Sequence, residues 1–193
     1  MKIGVLSLQG GYLKHMEILD RLKISSLPVR YKKDLDDIDA LIIPGGESTA
    51  LTKLIESQSL YEALSKFIDN KPVYGTCAGL ILLSKKINEN KKVKPFKKLD
   101  ITTKRNGWGR QVHSFTKQIS LNISKKSFKG VFIRAPKISN FGSEVEVLSS
   151  IDESPVMVKQ NKILATTFHP ELSDDTRIHE YFINMVVENA RKN

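Results

Sequence analysis

The sequence predicts an α/β protein with a mostly parallel central sheet and added antiparallel strands. Three observations lead to this prediction. In the first half, short apolar runs alternate with longer segments whose apolar residues recur at helical spacing, as in parallel strands joined by crossover helices. From Leu99 onward, shorter alternating runs indicate antiparallel strands. An apolar helical face that runs from Ile178 to Ala190 closes the chain.

The predicted strands of the first half end at polar or glycine-rich turns. Gln9-Gly10-Gly11 breaks the first strand, and Pro44-Gly45-Gly46 ends the third one. Ser48 follows as a candidate N-cap of the next helix. We predict strands at Ile3–Leu8, Leu27–Tyr31, Ala40–Ile43 and Pro72–Thr76, and helices around residues 13–22, 51–55 and 60–68.

The second half predicts a series of short strands. They are expected at Ile101–Thr103, Val112–Ile119, Val131–Ile133, Val145–Leu148, Val156–Val158 and Ile163–Phe168. No internal repeat, long low-complexity segment or linker divides the chain. We therefore expect residues 1–193 to form a single domain.

The composition indicates a globular protein without a membrane span or an internal disulfide. The 193 residues are 40% hydrophobic, which is enough for a real core, and no apolar run approaches the roughly 18 residues of a membrane span. The N-terminus has neither a charged leader nor a small-residue cleavage site, so we expect a cytoplasmic protein. The single cysteine, Cys77, excludes an internal disulfide and is either inert packing or a nucleophile.

The net charge of +10 would suit a nucleic-acid or acidic-protein partner if the basic residues were clustered. Most of them are lysines spread along the chain, and the densest run lies at residues 85–98. Phe96 is its only aromatic residue, so a solvated loop is the better interpretation than a nucleic-acid-binding tract.

The most informative window is Gly75-Thr76-Cys77-Ala78-Gly79, which places a nucleophile between two glycines, after a buried strand and before an apolar helix. Such an elbow needs a sharp turn that crowds the flanking residues and favours glycine there. The positive end of the helix dipole favours the thiolate form of a cysteine at this position. The alternative is a small cysteine buried at a tight turn.

A second motif, Phe168-His169-Pro170-Glu171, follows a predicted strand. With Pro170 holding the backbone extended, residues two apart point the same way, so Glu171 is placed to orient His169. His169 is then the general base and acid for Cys77, and the three residues form a candidate catalytic triad. A histidine beside a proline is otherwise usually structural.

The turn Pro44-Gly45-Gly46-Glu47-Ser48 could present backbone N–H groups to an anion. Acyl transfer from an amide generates an oxyanion, and the natural donors are the backbone amides of Gly46 and Ala78. A phosphate-binding turn is the rival interpretation, but neither nucleotide-binding glycine pattern is present. His15, His113, His169 and His179 show no zinc-like spacing, so we predict no metal.

Taken together, several segments resemble a known family, the glutaminase subunits of pyridoxal 5'-phosphate synthase, PdxT. The resemblance runs from Gly4 to about Val187. The elbow and the His-x-Glu pair are common to triad-type class I glutamine amidotransferases, whereas the segments at 105–111 and 132–136 are specific to this family. The matching segments are residues 5–10, 44–49, 75–79, 105–111, 132–136 and 169–172.

This resemblance implies a flavodoxin-like, three-layer α/β/α fold and the hydrolysis of L-glutamine to glutamate and ammonia without a cofactor. The implied partner is PdxS, a separate (β/α)8-barrel synthase subunit that uses the ammonia to build pyridoxal 5'-phosphate. In the implied mechanism, Cys77 forms a thioester while the Gly46 and Ala78 amides hold the oxyanion. The resemblance also suggests low activity until PdxS docks.

The family's binding positions carry over residue by residue. The glutamine-binding positions are Gly46, Glu47, Ser48, Arg105, Ile133 and Arg134. Glu47 suits the cationic amine of the free amino acid, and an arginine suits its carboxylate. Surface ion pairing would otherwise explain Arg105 and Arg134.

Gln9 and Gly10 resemble the N-terminal segment that the family orders when the synthase docks, so they are candidates for partner coupling. Lys14, Lys104 and the segment 97–100 depart from the family pattern, and we expect the extra lysines to alter the contacts with PdxS.

Two other classes of function stay open from the residues alone. An amidotransferase that feeds another synthase, or a thiol hydrolase with another substrate, would also keep Cys77 and a base. A non-enzymatic basic binding protein would cluster its lysines on one face and would not need Cys77.

Overall fold

The computed structural model describes residues 1–88, 92–108 and 114–192. The strands in chain order are β1 (Lys2–Leu6), β2 (Ser25–Val29), β3 (Ala40–Ile43), β4 (Val73–Thr76), β5 (Ser84–Asn88), β6 (Leu99–Lys104), β7 (Ser114–Leu121), β8 (Ser124–Ile133), β9 (Lys137–Phe141), β10 (Glu146–Ile151), β11 (Ser154–Gln160) and β12 (Ile163–Thr166). The helices are α1 (Tyr12–Arg21), α2 (Ser48–Ser57), α3 (Tyr61–Asn70), α4 (Ala78–Leu83) and α5 (Arg177–Lys192). Short 3-10 helices lie at Lys32–Leu35 and Pro170–Leu172.

Within these described ranges, the main sheet has seven strands in the order β10-β11-β12-β4-β3-β1-β2. The five strands from β12 to β2 run parallel, and β11 and β10 extend the sheet antiparallel. The predicted α/β class, with a mostly parallel sheet and added antiparallel strands, is confirmed.

Apolar side chains alternate between the two faces of the sheet because successive strand residues point to opposite sides. In β3, Leu41 and Ile43 join the apolar core that α2 and α3 cover. Ala40 and Ile42 join the core on the other face, together with Leu19 of α1 and Phe182 of α5. The helices therefore cover both faces, and the three-layer α/β/α arrangement follows.

Two predictions about the second half need correction. The segment Ile163–Phe168 was expected among the antiparallel strands, but β12 runs parallel to β4 and antiparallel only to β11. Among the strands of the described ranges, only β10 and β11 join the main sheet antiparallel. Strands β5, β6 and β9 form a separate sheet, and β7 pairs with β8 as a hairpin. The run patterns alone do not indicate which strands pair, because pairing depends on contacts distant in sequence.

The lysine-rich segment at residues 85–98 is also different from the predicted loop, because its start belongs to β5, which pairs parallel with β6. Its lysines make local ion pairs: Lys85 contacts Asp100 at 2.7 Å and Lys98 contacts Asp69 at 2.6 Å. Lys94 lies over the ring of Tyr61, 3.9 Å from the centroid. Residues 89–91 lie outside the described part of the chain.

The start of the predicted strand Val112–Ile119 lies outside the described residues; its described part belongs to β7. Among the helices described, none is both long enough and apolar enough to cross a membrane.

Candidate active site

A cavity of about 390 Å³ opens at the carboxyl edge of the parallel strands. It lies where β12, β4, β3 and β1 end side by side, which is the edge at which parallel α/β sheets bind ligands. The residues around it are Gly10, Gly11, Gly45, Gly46, Glu47, Ser48, Cys77, Ile81, Arg105, Asn106, Ile133, Arg134, His169, Glu171 and Leu172. The cavity thus brings together most of the site residues predicted from the sequence.

Cys77 stands at the turn between β4 and α4 in a strained backbone conformation, with φ of 47° and ψ of −98°. Its N–H donates to the carbonyl of Thr166 at the end of β12, at 2.9 Å. A Cβ on Gly79 would lie 2.0 Å from the carbonyl oxygen of Ile43. Helix α4 therefore approaches the sheet so closely that only glycine fits, which explains this glycine of the elbow.

The thiol of Cys77 is buried, with 6% of the residue exposed. Its Sγ lies 3.9 Å from the carbonyl oxygen of Ile133, the last residue of β8. The elbow therefore directs the thiol into the cavity, against the same strand that supports the histidine.

His169 follows β12, and its backbone N–H donates to the carbonyl of Val131 in β8 at 2.8 Å. Its Nδ1 contacts Oε1 of Glu171 at 2.8 Å. The expected extended backbone through Pro170 is wrong, because Pro170–Leu172 forms a 3-10 helix. The two side chains meet because this tight turn brings the carboxylate of Glu171 to Nδ1 of the imidazole.

The electrostatics of His169 depend on Cys77. Burial opposes the charged imidazolium, but hydrogen bonds to Cys77 and Glu171, together with their charges, overcome this effect and raise the pKa of His169 to about 10. The interaction with Cys77 and Glu171 therefore keeps a proton on the imidazole of His169 at neutral pH.

Glu171 is buried, with 4% of the residue exposed. Burial alone would raise the pKa of this carboxyl, but His15 and His169 more than offset that cost and lower the pKa below its ordinary value. His15 Nε2 lies 3.4 Å from Oε2 of Glu171, and His15 Nδ1 lies 2.9 Å from Nε2 of His179. In the sequence, His15 and His179 stand out only as potential metal ligands, and neither is among the predicted site residues. The available signal was a histidine on the buried stripe of α1 beside Ile18 and Leu19.

The turn after β3 differs from its prediction in one respect. Glu47, not Ser48, caps α2, since its carboxylate accepts from the N–H groups of Thr49 and Ala50 at 3.0 and 2.6 Å. A carboxylate is a favoured cap because it also faces the positive end of the helix dipole. Ser48 is the first residue of α2, and its buried hydroxyl has no hydrogen-bond partner among the described residues.

Arg105 contacts Glu47 at 2.6 Å through Nη2 and the hydroxyl of Thr49 at 3.2 Å through Nη1. Burial alone would raise the pKa of Glu47, but backbone donors from Thr49 and Ala50, together with Arg105, lower it below its ordinary value. The two charges predicted to bind opposite ends of the substrate therefore pair with each other here.

The other predicted residues lie around the same opening. Ile133 and Arg134 line the cavity, and Arg134 has a positive φ of 44°. Ala78 is the first residue of α4, so its N–H is among those that a helix leaves without an internal partner. Gln9 lies just behind the rim, where its Oε1 accepts from the N–H of Glu47 at 3.2 Å.

Gly10 has a φ of +86°, and a Cβ there would lie 1.8 Å from the carbonyl oxygen of Gly45. The predicted coupling segment is therefore packed directly on the turn after β3. Residues 109–111 of the family-specific segment lie outside the described residues. So does His113, one of the four histidines without zinc-like spacing. In the part of the chain that the structure describes, no group of three or more His, Cys, Asp or Glu side chains is arranged to hold a metal ion.

An α/β sheet with a strained cysteine elbow and a buried His–Glu pair at its carboxyl edge has the arrangement typical of thiol-dependent acyl transfer. Residues 5–188 match the SNO glutamine amidotransferase family. The chain is 47% identical to the "Pyridoxal 5'-phosphate synthase subunit PdxT" of Fervidobacterium nodosum, over 97% of this chain and 98% of that protein. It is 48% identical to the subunit of the same name from Thermotoga neapolitana, over 96% and 100%.

Solved structures agree with this match. A crystal structure of a glutamine amidotransferase superposes with a TM-score of 0.90 at 41% identity, over 95% of this chain and 98% of that one. The glutaminase domain of Trypanosoma brucei CTPS with bound acivicin has a TM-score of 0.61 at 11% identity, over 97% and 94%, which shows the fold alone. The chain belongs to the SNO glutamine amidotransferase family.

Proposed function

We propose that this chain is the glutaminase subunit of a pyridoxal 5'-phosphate synthase. It hydrolyses L-glutamine to L-glutamate and ammonia and delivers the ammonia to a PdxS synthase subunit. The relatives that carry the name "Pyridoxal 5'-phosphate synthase subunit PdxT" match it over nearly their whole length, which supports the assignment to this synthase. We also propose that residues 1–193 act as one glutamine amidotransferase domain.

The observation that carries the proposal is the placement of Cys77 and His169 in one cavity, with Glu171 behind the imidazole at 2.8 Å. These are the nucleophile, the base and the group that orients the base. The strained φ of Cys77 supports the same conclusion, since backbone strain concentrates at functional positions.

In the first half of the proposed reaction, the Cys77 thiolate attacks the side-chain amide carbon of glutamine. Negative charge develops on the amide oxygen, which accepts hydrogen bonds from the backbone amides of Gly46 and Ala78. The imidazolium of His169 gives its proton to the amide nitrogen, the C–N bond breaks, and ammonia leaves. The raised pKa of His169 supports this step, because the imidazole holds a proton at neutral pH.

In the second half, His169 takes a proton from a water molecule, and the resulting hydroxide attacks the thioester carbon. The C–S bond breaks, glutamate is released, and the thiolate–imidazolium pair is restored. Glu171 keeps the imidazole oriented through both halves, as the carboxylate of a catalytic triad does.

The substrate's own charges explain the binding residues. We propose that Arg105 and Arg134 hold the α-carboxylate and that Glu47 holds the α-amine. Ser48 offers its hydroxyl, which has no hydrogen-bond partner among the described residues, and Gly46 and Ile133 offer backbone groups. The Glu47–Arg105 contact of 2.6 Å then opens or is shared when the zwitterionic amino acid enters.

The proposed coupling to PdxS passes through Gln9 and Gly10. Gln9 accepts from the backbone of Glu47, and Gly10 packs on Gly45, so both contact the turn that contains the proposed oxyanion donor Gly46. A partner that displaces this segment would act directly on the oxyanion site. We therefore expect low activity in the isolated chain and stimulation on docking.

The test is ammonia and glutamate release from L-glutamine by wild type and Cys77→Ala, each with and without a PdxS subunit from the same organism. We expect partner-stimulated release by wild type and a loss of at least about 10³-fold in the variant, since nothing replaces the thiolate. Binding of PdxS by both proteins, measured by sedimentation, shows that the loss is chemical.

A wild type that binds PdxS and still releases no ammonia would refute the glutaminase assignment. Full activity without PdxS would refute the coupling alone. The alternative of a basic binding protein receives little support from the lysine-rich segment, where Lys85 and Lys98 pair with Asp100 and Asp69.

A further inference from the structure

Further buried polar side chains lie next to Glu171, on the side away from His169. One carboxylate oxygen, Oε1, contacts His169, while the other, Oε2, is buried and lacks a hydrogen bond of good geometry among the described residues. An unpaired carboxylate oxygen in a protein interior is costly, so a nearby donor is needed. Nε2 of His15, at 3.4 Å, occupies that position.

His15 is completely buried in α1 and uses both ring nitrogens. Its Nε2 faces Oε2 of Glu171 and the hydroxyl of Thr76, which is 3.3 Å away. Its Nδ1 contacts Nε2 of His179 in α5 at 2.9 Å. The chain of contacts therefore runs from the thiol site through Glu171 and His15 to the last helix.

One arrangement of protons gives the buried Oε2 of Glu171 a donor. Oε2 of an ionised Glu171 accepts and cannot donate, so in this arrangement Nε2 of His15 carries the proton. Nδ1 of His15 is then an acceptor, which requires Nε2 of His179 to donate to it. Nδ1 of His179 is left without a proton, and this ring nitrogen has no hydrogen-bond partner among the residues that the structure describes.

The reversed arrangement is less favourable at both ends. In it, Nε2 of His15 would accept from the hydroxyl of Thr76, which would leave Oε2 of Glu171 without a donor among the described residues. It would also bury an N–H of His179 without an acceptor among the same residues. A doubly protonated His15 is opposed by burial, which lowers its pKa, and by the charge of His169, although Glu171 opposes that shift. Burial, and to a lesser degree His15, likewise lower the pKa of His179 to about 3. The lowered pKa of each ring favours its neutral form at neutral pH.

We propose that His15 is a positioning residue for the glutaminase reaction: it donates from Nε2 to Oε2 of Glu171 and so holds this carboxylate against His169, while His179 sets the tautomer of His15. The inference deepens the proposed function and rests on the assignment of Glu171 as the orienting carboxylate. His15 touches no substrate, so its effect reaches the reaction only through Glu171.

Two substitutions of His15 separate this role from packing. The amide nitrogen of Gln reaches the position of Nε2, whereas that of Asn reaches only the position of Nδ1. We expect His15→Asn to lower kcat about tenfold with KM for glutamine nearly unchanged, as for loss of a hydrogen bond to a charged group that acts after binding. His15→Gln should retain most of the activity.

The decisive comparison is a double-mutant cycle with Glu171→Ala, measured as PdxS-stimulated ammonia release. If His15 acts through Glu171, the His15→Asn loss disappears in the Glu171→Ala background, because no carboxylate remains to be positioned. Tyr74→Phe is the matched control: its ring packs against His15 with centroids 6.3 Å apart, and its hydroxyl contacts Thr166 rather than Glu171. Its kcat should stay near wild type.

A direct measurement on the wild-type chain completes the test without using activity. Long-range ¹H–¹⁵N correlation spectra report which ring nitrogen of each histidine is protonated, and through-bond correlations from each ring to its own backbone assign the signals in the wild type. We expect Nε2–H on both His15 and His179. Nδ1–H on His15 would overturn the proposal, even if the variants did not fold.

The remaining outcomes are equally decisive. An equal loss in both backgrounds, or a Gln variant as poor as the Asn variant, would show that His15 only fills space. A wild type that binds PdxS but releases no ammonia would refute the proposed function, while the spectra would still decide whether His15 donates to Glu171.

Discussion

The two halves of the cavity are built in different ways. Cys77, His169 and Glu171, the proposed catalytic residues and here the reaction half, follow core strands, and their side chains are almost entirely buried. Glu47 and Arg105, two of the proposed substrate-binding residues and here the binding half, lie in turns, with 49% and 30% of their side chains exposed. The reaction half therefore depends on backbone packing, and the binding half depends on solvated charges.

The difference has a physical reason. Acyl transfer needs donors and a base held within a fraction of an ångström, which rigid strands provide better than turns. A zwitterionic substrate must enter and leave, and paired charges at a wet rim exchange partners at low cost because water screens them.

The largest effect is expected from Gly79→Ala, which acts on the backbone of the reaction half. The new Cβ would lie 2.0 Å from the carbonyl oxygen of Ile43, a backbone atom that cannot move alone. We expect the free energy of unfolding to fall by about 3–5 kcal/mol, with loss of soluble protein. Urea denaturation measures the change.

Gly142→Ala is the control for that substitution. There the added Cβ would meet Oδ2 of Asp100, the end of an exposed side chain that can rotate away. We expect a change below about 1 kcal/mol. Equal effects at the two glycines would contradict the idea that the elbow depends on close backbone packing.

Next in size is Arg105→Ala, which removes a cation from the binding half. We expect KM for glutamine to rise about 10–100-fold with kcat within a few-fold, since the lost hydrogen bonds to a charged group serve substrate and transition state alike. Steady-state kinetics in the presence of PdxS measures both constants. Lys104→Ala, which removes an exposed cation next to Arg105, should leave both constants unchanged. A fall in kcat without a change in KM would show that Arg105 acts in the reaction and not in substrate binding.

A smaller effect is expected on the pH dependence of the protein's stability. The pKa of His169 is raised from 6.5 to about 10, so its contribution to stability is fully present below about pH 6.5 and is lost as pH rises through about 10. Since Cys77 causes much of this rise, we expect the stability difference between wild type and Cys77→Ala to fall towards pH 10. Thermal unfolding from pH 6 to pH 10 checks the trend. Parallel curves for the two proteins would contradict the conclusion that Cys77 raises the pKa of His169.

The smallest effect is expected outside the cavity. Lys98→Ala removes the surface contact with Asp69 at 2.6 Å, and we expect a loss below about 1 kcal/mol that shrinks further in high salt. A double-mutant cycle with Asp69→Ala isolates the pair. The coupling energy of this exposed pair is the reference with which the coupling energy of the Arg105–Glu47 contact is compared.

Most of what could be predicted came from patterns among residues that are close together in the sequence. The parallel strands, the helices and the glycine elbow were predicted because apolar periodicity and turn chemistry are properties of neighbouring residues. The cap of α2 was assigned one residue late, since Glu47 and Ser48 are both plausible caps and the choice depends on the path of the chain. The catalytic and binding roles assigned from the motifs stay predictions until they are measured.

By itself, the sequence determined the α/β class, the cysteine elbow and the pairing of a histidine with a glutamate two residues later. The tertiary structure decided that β12 lies parallel beside β4, which brings Cys77 and His169 to one edge. It also decided that His15 and His179, 164 residues apart, meet behind Glu171. Periodicity reports only near neighbours along the chain, whereas a buried polar cluster forms where distant segments happen to pack and must satisfy each other's hydrogen bonds.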